Sequence, residues 1–398
     1  MKNITQIVFI AYQPITLKFK KDFYVEKLMQ EGFKIEYWDL SKIFNRQTNI
    51  NGEIADVVQI KIETYKQLEK KIVQYVQFSL FIFNITYYGS VYKLFSVFSK
   101  HKCLTSIFAR GTLPYPSSNY SLVKKFFFRF KALKSPQYIR ETLLNQIAIG
   151  ARRFKLVKPY NFIFYAGADG VSNVGCGYKF GLARSKLIPI NSFDYDAYLM
   201  LKQTHCRHVK QRYCVFLDNY FPYHPDLQLL DLPQLNAEKY YTSLNNFFQL
   251  IEQTFNIEVI IAAHPKSVYE GKASYGKRIV IKNKTAELVK YADFVVSHVS
   301  TSVSFAVLFK KPLVFVYTNE IKKLYPLTHY QLVLYFAGLL NTSCINTDEA
   351  FEKIDIKPLD DNAYNKYKYS YLTSPQSEQK FSEDIFINTL KPLKTSAD

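Results

Sequence analysis

Polar residues follow short apolar runs at several points in the second half of the chain. Asp218 follows Tyr-Cys-Val-Phe-Leu, with His224-Pro225 shortly after it, and His264 follows Val-Ile-Ile-Ala-Ala. A Ser-Thr-Ser run, residues 300–302, comes after Phe-Val-Val-Ser. If each apolar run is a strand of a parallel sheet, these residues lie at its carboxyl edge, where open α/β sheets bind ligands. Imidazole, hydroxyl and carboxylate groups at one edge suit phosphate binding and proton transfer.

Two of these groups are candidates for a phosphate site. Ser300, Thr301 and Ser302 lie between a predicted strand and a predicted helix, where free backbone N–H groups and hydroxyls favour an anion. The alternative for this run is ordinary N-capping. A cap does not explain His264, whose imidazole could stabilise or protonate a departing phosphate oxygen, although a histidine at a strand end is often structural. We group His264 with its neighbours Pro265 and Lys266 as predicted binding residues.

The elements that position these residues are predicted from periodicity. Short β-branched and aromatic runs alternate with longer amphipathic runs along the chain, which is typical of βαβ units feeding a parallel sheet. A polar segment rich in Lys, His and Gln interrupts the alternation near residues 198–212. We therefore predict an α/β protein with a Rossmann-like domain in 1–197, a linker in 198–212 and a second Rossmann-like domain in 213–398. The last forty or so residues are predicted to pack back as a helix or to remain loose.

Composition and charge narrow the class of protein. Of 398 residues, 48% are hydrophobic, so the chain is predicted to fold, and its length suits two domains. The formal net charge is +19, which favours an acidic partner such as nucleic acid, an anionic membrane or a phosphorylated substrate. No nucleic-acid recognition motif accompanies the charge, so we do not expect nucleic acid as a partner.

The motifs together resemble a known class of enzymes. Ala-Ala-His-Pro-Lys-Ser, Lys-Thr-Ala-Glu-Leu-Val and Ser-His-Val-Ser-Thr-Ser-Val-Ser-Phe-Ala-Val are similar to segments of GT-B glycosyltransferases from bacterial capsule and O-antigen loci. The similarity spans roughly residues 213–320 and is greatest to the users of CMP-sugars: sialyltransferases, polysialyltransferases and Kdo transferases. It implies two Rossmann-like domains facing each other across a cleft. It also implies that His264 contacts the CMP phosphate and acts as acid, and that Ser300, Thr301 and Ser302 hold that phosphate.

The resemblance further implies an acidic general base in the N-terminal domain, within an Asp/Glu-Asp/Glu-Gly sequence. This chain departs from that pattern, and the nearest match is Asp169 in Ala-Asp-Gly, which is also a typical turn sequence. Asp218 is the competing candidate, and Asp194 and Asp196 are further ones. The expected reaction is transfer of an acidic keto sugar, a nonulosonic acid or a Kdo-like residue, from its CMP derivative to a polysaccharide or lipid-linked acceptor. Neither a cofactor nor a metal is expected, because side chains can neutralise a single phosphate.

A basic aromatic segment suggests where the acceptor is met. Residues 121–158 contain ten Lys or Arg and one Glu. A helix with this composition suits an anionic lipid surface, and the residues predicted to face it are Lys124, Lys125, Phe127 and Arg129. The alternative is a core helix with a solvated basic edge. No signal peptide and no long apolar run are present, so we expect a cytoplasmic, peripheral protein on the inner face of the cytoplasmic membrane.

Three other functions remain open at this point. A UDP- or GDP-sugar enzyme would more usually have a glutamate that pairs with ribose, and Glu320 could supply it. We count Asn319 and Glu320 among the predicted nucleotide-binding residues. A CDP-polyol phosphotransferase would usually have a second histidine in its N-terminal domain, where only His101 precedes residue 205. A non-catalytic scaffold with a degenerate nucleotide site is the third. Zinc binding is not expected, since His205, Cys206, His208 and Cys214 match no usual zinc spacing.

Overall fold

The computed structural model describes residues 3–45, 56–115, 136–204, 207–225, 227, 232–350 and 354–394. The chain forms two compact units. The first contains the described residues up to Thr112, those from 136 to Phe193, and those from Thr373 onward. The second contains the described residues from Asp194 to Leu372 and a short stretch that begins at Leu113.

The first unit is built on a sheet of seven parallel strands in the order β3-β2-β1-β4-β5-β6-β7. Its central strands are nearly continuous apolar runs, as expected where helices cover both faces of a sheet. The strands are β1 (Gln6–Ala11), β2 (Lys34–Asp39), β3 (Val58–Lys61), β4 (Ser79–Phe83), β5 (Leu104–Ala109), β6 (Phe162–Ala166) and β7 (Lys186–Ile190). The helices are α1 (Leu17–Asp22), α2 (Val25–Gln30), α3 (Tyr65–Tyr75), α4 (Tyr92–Lys100) and α5 (Pro136–Arg153).

The second unit is built on a sheet of six parallel strands in the order β10-β9-β8-β11-β12-β13. The strands are β8 (Tyr213–Leu217), β9 (Glu258–Ala263), β10 (Val280–Lys282), β11 (Val295–Ser297), β12 (Leu313–Tyr317) and β13 (Ser343–Asn346). The helices are α6 (Phe193–Lys202), α7 (Ala237–Phe255), α8 (Thr285–Tyr291), α9 (Val303–Leu308), α10 (Asn319–Leu324), α11 (His329–Leu340) and α12 (Asp361–Tyr367).

Both sheets have the Rossmann strand order, with the order reversing beside the first strand of each unit. In the second unit this topological switch point lies between β8 and β11. Buried apolar clusters cover both faces of each sheet. The predicted fold class, two Rossmann-like α/β domains in series, is confirmed.

The predicted linker is wrong as a separate segment. The second unit already begins at Asp194, because α6 packs the side chains of Tyr195, Tyr198 and Leu201 onto its core. The Lys290 ammonium also donates to the Leu201 carbonyl at 2.7 Å. In the described part of residues 198–212, Val209 is buried as well, so this stretch belongs to the second unit.

The end of the chain belongs to the first unit, not to the second as predicted. Helix α13 (Ser382–Leu390) buries Phe386, Ile387 and Leu390 in the core of the first unit. The Phe386 ring contacts the rings of Phe108 and Phe164, each at 4.9 Å between centroids. The apolar face of this helix therefore packs on β5 and β6 of the first sheet.

Candidate functional site

His264 lies on the loop that follows β9, at the carboxyl edge of the second sheet. Its ring is half-buried, while Pro265 and Lys266 are exposed. The Lys266 backbone N–H donates to Nδ1 of His264 at 3.2 Å, which assigns the proton of the neutral ring to Nε2. The Ser267 hydroxyl donates to the His264 carbonyl at 2.7 Å. The loop is thus fixed by its own hydrogen bonds and holds the imidazole in one orientation.

A second histidine, His224, lies against His264. The two rings are 4.8 Å apart between centroids and meet edge to face. His224 lies on the loop after β8, just past a short 3-10 turn at Phe221–Tyr223, and it is half-buried. Sequence analysis gave this residue no role. The signal that could have found it is the repeated His-Pro dipeptide, since two such dipeptides follow strands that are neighbours in the sheet.

Two side chains tie the loops of these histidines together. Tyr220, after β8, donates from its hydroxyl to the carbonyl of Val268, after β9, at 2.6 Å. The Lys272 ammonium donates to the Tyr220 hydroxyl at 3.1 Å and lies 4.9 Å from the centre of the Tyr223 ring. The loops that carry the two imidazoles are therefore joined by these contacts.

Asp218 joins the same two loops through hydrogen bonds to its buried carboxylate. Its side chain is only 5% exposed and accepts from the Tyr220 backbone N–H at 2.6 Å, from the Tyr275 hydroxyl at 2.6 Å and from the Tyr269 hydroxyl. Burial, together with the charge of Asp218, raises the pKa of Tyr269 and of Tyr275 far above the usual value for a phenol. Both phenols therefore remain protonated and act as donors.

The predicted role of Asp218 as general base needs correction. Three donors occupy its carboxylate, and the residue is only 5% exposed, so little of the carboxylate is accessible to an incoming hydroxyl group. Asp218 instead positions the loops that carry His224 and His264.

The hydroxyl run lies on the other side of β8, after β11. Ser300 and Ser302 are half-buried and Thr301 is exposed. Ser302 is the N-cap residue of α9, but its side chain makes no capping hydrogen bond; the Ser300 hydroxyl accepts from the Ser302 N–H at 3.2 Å instead. Capping accounts for the run only in part, because the Ser302 hydroxyl has no such role.

His298 precedes the hydroxyl run and is structural. It is 1% exposed, its Nδ1 bonds the Val316 carbonyl at 2.6 Å, and its Nε2 bonds the Tyr240 hydroxyl at 2.8 Å. Burial lowers the pKa of this imidazole to about 4, so the ring is neutral near pH 7. Its Nδ1 then donates to the carbonyl and its Nε2 accepts from the phenol.

A hydrogen bond links the loop after β8 to the loop after β11. The Asn219 amide nitrogen donates to the Val299 carbonyl at 2.6 Å, and the amide oxygen of Asn219 is buried with no hydrogen-bond partner within the described residues. Since neighbouring strands are about 4.8 Å apart, β9 and β11 lie about 10 Å from each other on either side of β8. His264 and residues 300–302 therefore flank one strand at the switch point.

Asn319 and Glu320 belong to a different part of the second unit. Both line a cavity of about 950 Å³ beside the carboxyl ends of β12 and β13. Both carboxylate oxygens of Glu320 accept from the Asn236 backbone N–H at 3.0 Å, and the Asn319 amide oxygen accepts from Asn346 at 2.9 Å. Neither His264 nor residues 300–302 line this cavity. The structure therefore does not group these two residues with the histidine pair.

Asp169 lies in the first unit, on the loop after β6. The Gly170 N–H donates to the Gly167 carbonyl at 3.0 Å, so the Ala-Asp-Gly sequence does form a turn. The Asp169 side chain is exposed at the carboxyl edge of the first sheet. The turn and an accessible carboxylate occur together here, and the role of Asp169 as base remains a prediction.

The remaining predicted residues fall outside this description. Lys124, Lys125, Phe127 and Arg129 lie in 116–135, outside the described residues. Across the described ranges, no group of three or more His, Cys, Asp or Glu side chains is placed to hold a metal ion.

Comparisons with known proteins find similarity in three-dimensional structure alone. No protein-family model matches the chain, and no curated protein sequence matches it. Similar solved structures include a UDP-GlcNAc 2-epimerase from Methanocaldococcus jannaschii, with 12% identity, 96% of this chain and 98% of that chain covered, and a TM-score of 0.45. The glycosyltransferase SnogD from Streptomyces nogalater is 10% identical to this chain, with 97% of this chain and 99% of that chain covered and a TM-score of 0.46. The calicheamicin glycosyltransferase CalG4 is 11% identical, with 99% of this chain and 94% of that chain covered and a TM-score of 0.44.

Proposed function

We propose that the chain is a glycosyltransferase that moves an acidic keto sugar from a CMP-activated donor to a polysaccharide or lipid-linked acceptor. The observation that carries the proposal is the pairing of His264 with His224 at the carboxyl edge of the second sheet. This is the edge at which Rossmann-like domains bind nucleotides, and imidazoles there suit an anionic phosphate. The motif resemblance of residues 213–320 supports the same donor class.

The single phosphate of a CMP-linked donor matches the groups that the site offers. The His264 ring has its proton on Nε2 in the neutral form and can donate it to a phosphate oxygen as the bond to the sugar breaks. His224 and Lys266 add positive or donor groups on the same side of β8, and the hydroxyls of residues 300–302 add donors on the other. The buried amide oxygen of Asn219 could accept a hydrogen bond from a sugar nucleotide that lies between His264 and residues 300–302.

The acceptor hydroxyl group must lose a proton during the transfer. Asp169 is the proposed base, since its carboxylate is exposed at the edge of the first sheet, whereas Asp218 is fully engaged. The proposed place of action is the inner face of a bacterial cytoplasmic membrane, where lipid-linked acceptors are found. The proposal includes neither a metal nor a cofactor.

A UDP- or GDP-sugar donor is the competing assignment, and Glu320 was the residue that favoured it. Its carboxylate accepts from the Asn236 backbone N–H and keeps lone pairs that could accept from a ribose. Glu320 nevertheless lies in a cavity that neither His264 nor residues 300–302 line, so it does not belong to the site on which the proposal rests.

Thermal-shift binding with CMP, CDP, UDP and GDP tests the donor class, because a ligand that binds only the folded state raises the melting temperature. We expect CMP to raise it by the largest amount. If UDP or GDP raises the melting temperature and CMP does not, the result would contradict the CMP donor but would still agree with a nucleotide-dependent transferase. No shift with any of the four nucleotides would contradict the transferase and favour a scaffold.

A further inference from the structure

Helix α5 carries an exposed apolar stripe. Ile139, Leu143 and Ile147 follow one another at a spacing of four residues on α5 and are exposed, and so is Phe154 directly after the helix, whereas Ala148 on another face of the helix is buried. Leu143 is 59% exposed, Ile147 56% and Phe154 73%. A helix on the surface of a soluble domain normally has polar residues on its outer face, so the apolar outer face of α5 is unusual.

The stripe continues past the end of α5. Leu156 is 67% exposed, and Phe180 from a neighbouring 3-10 turn is 45% exposed. The Arg153 guanidinium lies 6.0 Å from the centre of the Phe180 ring, which places Phe180 beside the end of the helix. We name these six residues the α5 patch: Ile139, Leu143, Ile147, Phe154, Leu156 and Phe180. A contiguous exposed patch of this kind marks an interaction surface.

The charges around the α5 patch are almost all positive. Six exposed basic residues lie on α5, on the segment that follows it and on the turns around Phe180, whereas Glu141 is the one acidic residue in 136–158. They are Arg140, Arg153, Lys155, Lys158, Lys179 and Arg184. Large apolar side chains surrounded by Lys and Arg are typical of surfaces that lie on anionic lipid.

This charge also argues against a second copy of the chain as the occupant. A symmetric dimer through the α5 patch would bring identical surfaces together, and the basic residues of one copy would face those of the other. Lipid headgroups with phosphate groups provide the opposite charge, and the acyl region receives the apolar side chains. In the part of the chain that the structure describes, no helix is long and apolar enough to cross a bilayer.

We propose that the α5 patch is a docking surface for an anionic lipid bilayer, with Leu143, Ile147 and Phe154 inserted at the interface and the basic residues on the headgroups. This refines the membrane association predicted from residues 121–158, because it rests on described side chains of 139–180. It does not depend on the identity of the nucleotide donor.

Flotation of the full chain with lipid vesicles tests the proposal. We expect binding to vesicles that contain phosphatidylglycerol, weak binding to pure phosphatidylcholine, and loss of binding as salt rises, because ions screen the charges. Replacing two side chains together, Leu143→Asn with Ile147→Asn, should weaken binding by on the order of tenfold or more, since less apolar area is buried.

The matched control is Val73→Asn, which changes a residue on α3 in the same unit that is 57% exposed. It should bind vesicles like the wild type. All variants should keep the same melting temperature and the same nucleotide response, which separates a failure of this proposal from a failure of the proposed donor.

Three results would overturn the docking surface. One is a wild-type chain that does not float with anionic vesicles. The second is unchanged binding by the double variant. The third is a double variant that converts a dimer to a monomer in sedimentation experiments without any change in vesicle binding.

Discussion

At the scale of single residues, the buried carboxylate of Asp218 determines the geometry of the candidate site. It accepts hydrogen bonds from Tyr269 and Tyr275, which lie 51 and 57 residues farther along the chain. Through these bonds it holds the loop of His264 against the loop of His224. Removing one acceptor atom from a buried carboxylate that has several hydrogen-bond donors lowers the stability of the fold, because a buried donor is then left without a partner.

We therefore predict that Asp218→Asn lowers the free energy of unfolding by about 3 kcal/mol, because the amide nitrogen replaces an acceptor and faces a phenol donor. Urea denaturation measures this. Glu270→Gln, an exposed change on the same loop, is the control and should stay within about 0.5 kcal/mol of the wild type. An Asp218→Asn variant as stable as Glu270→Gln would show that the hydrogen bonds to Asp218 contribute nothing to the free energy of unfolding.

The candidate site was predictable from sequence where its residues directly follow strands. His264 and residues 300–302 could be placed at the carboxyl edge in this way, and the structure has them there. The burial of Asp218 was not predictable, because its partners Tyr269 and Tyr275 lie in a loop without regular periodicity. The contact of His224 with His264 likewise depends on loop conformations that local sequence does not specify.

At the scale of elements, the strands were the most predictable feature. The apolar runs that precede Asp218 and His264 are the strands β8 and β9, because buried parallel strands are continuous apolar runs. The helix predicted to follow residues 300–302 is α9, which begins at Val303, since the Val303 N–H donates to the Ser300 carbonyl in a turn that precedes the helix. β13 was not predicted; its short sequence, Ser-Cys-Ile-Asn, contains only one strongly apolar residue.

The final helix shows where local sequence stops being informative. The spacing of Phe386, Ile387 and Leu390 indicates an apolar helical face, but it does not indicate which of two sheets that face will cover. In the structure this face packs on the first sheet, where the Phe386 ring contacts Phe108 of β5 and Phe164 of β6.

We predict that Phe386→Ala destabilises the first unit by about 3–5 kcal/mol, the usual cost of such a truncation in a core. Hydrogen exchange followed by mass spectrometry should show faster exchange in β1 and β4 and unchanged exchange in β8. Asn388→Ala, an exposed change on the same helix, is the control and should leave every strand protected. Faster exchange in β8 alone would contradict the assignment of this helix to the first unit.

At the scale of the whole molecule, the net charge of +19 has more than one consequence. Basic residues surround the α5 patch in the first unit, whereas the histidine pair and Lys266 lie in the second. The sequence predicted an acidic partner without saying where it binds. The structure separates two candidate surfaces, one suited to lipid headgroups and one suited to a nucleotide phosphate, and each can be tested without the other.

The central claim is that His264 binds the phosphate of a nucleotide donor. Calorimetric titration of the wild type, of His264→Ala and of His208→Ala with CMP tests it most directly. His208 is an exposed histidine of the same unit that precedes β8, so its removal is a matched control. We expect His208→Ala to bind CMP like the wild type and His264→Ala to bind about 10- to 100-fold more weakly, the effect of losing one charge-assisted hydrogen bond. Equal affinities for the wild type and His264→Ala would contradict the claim.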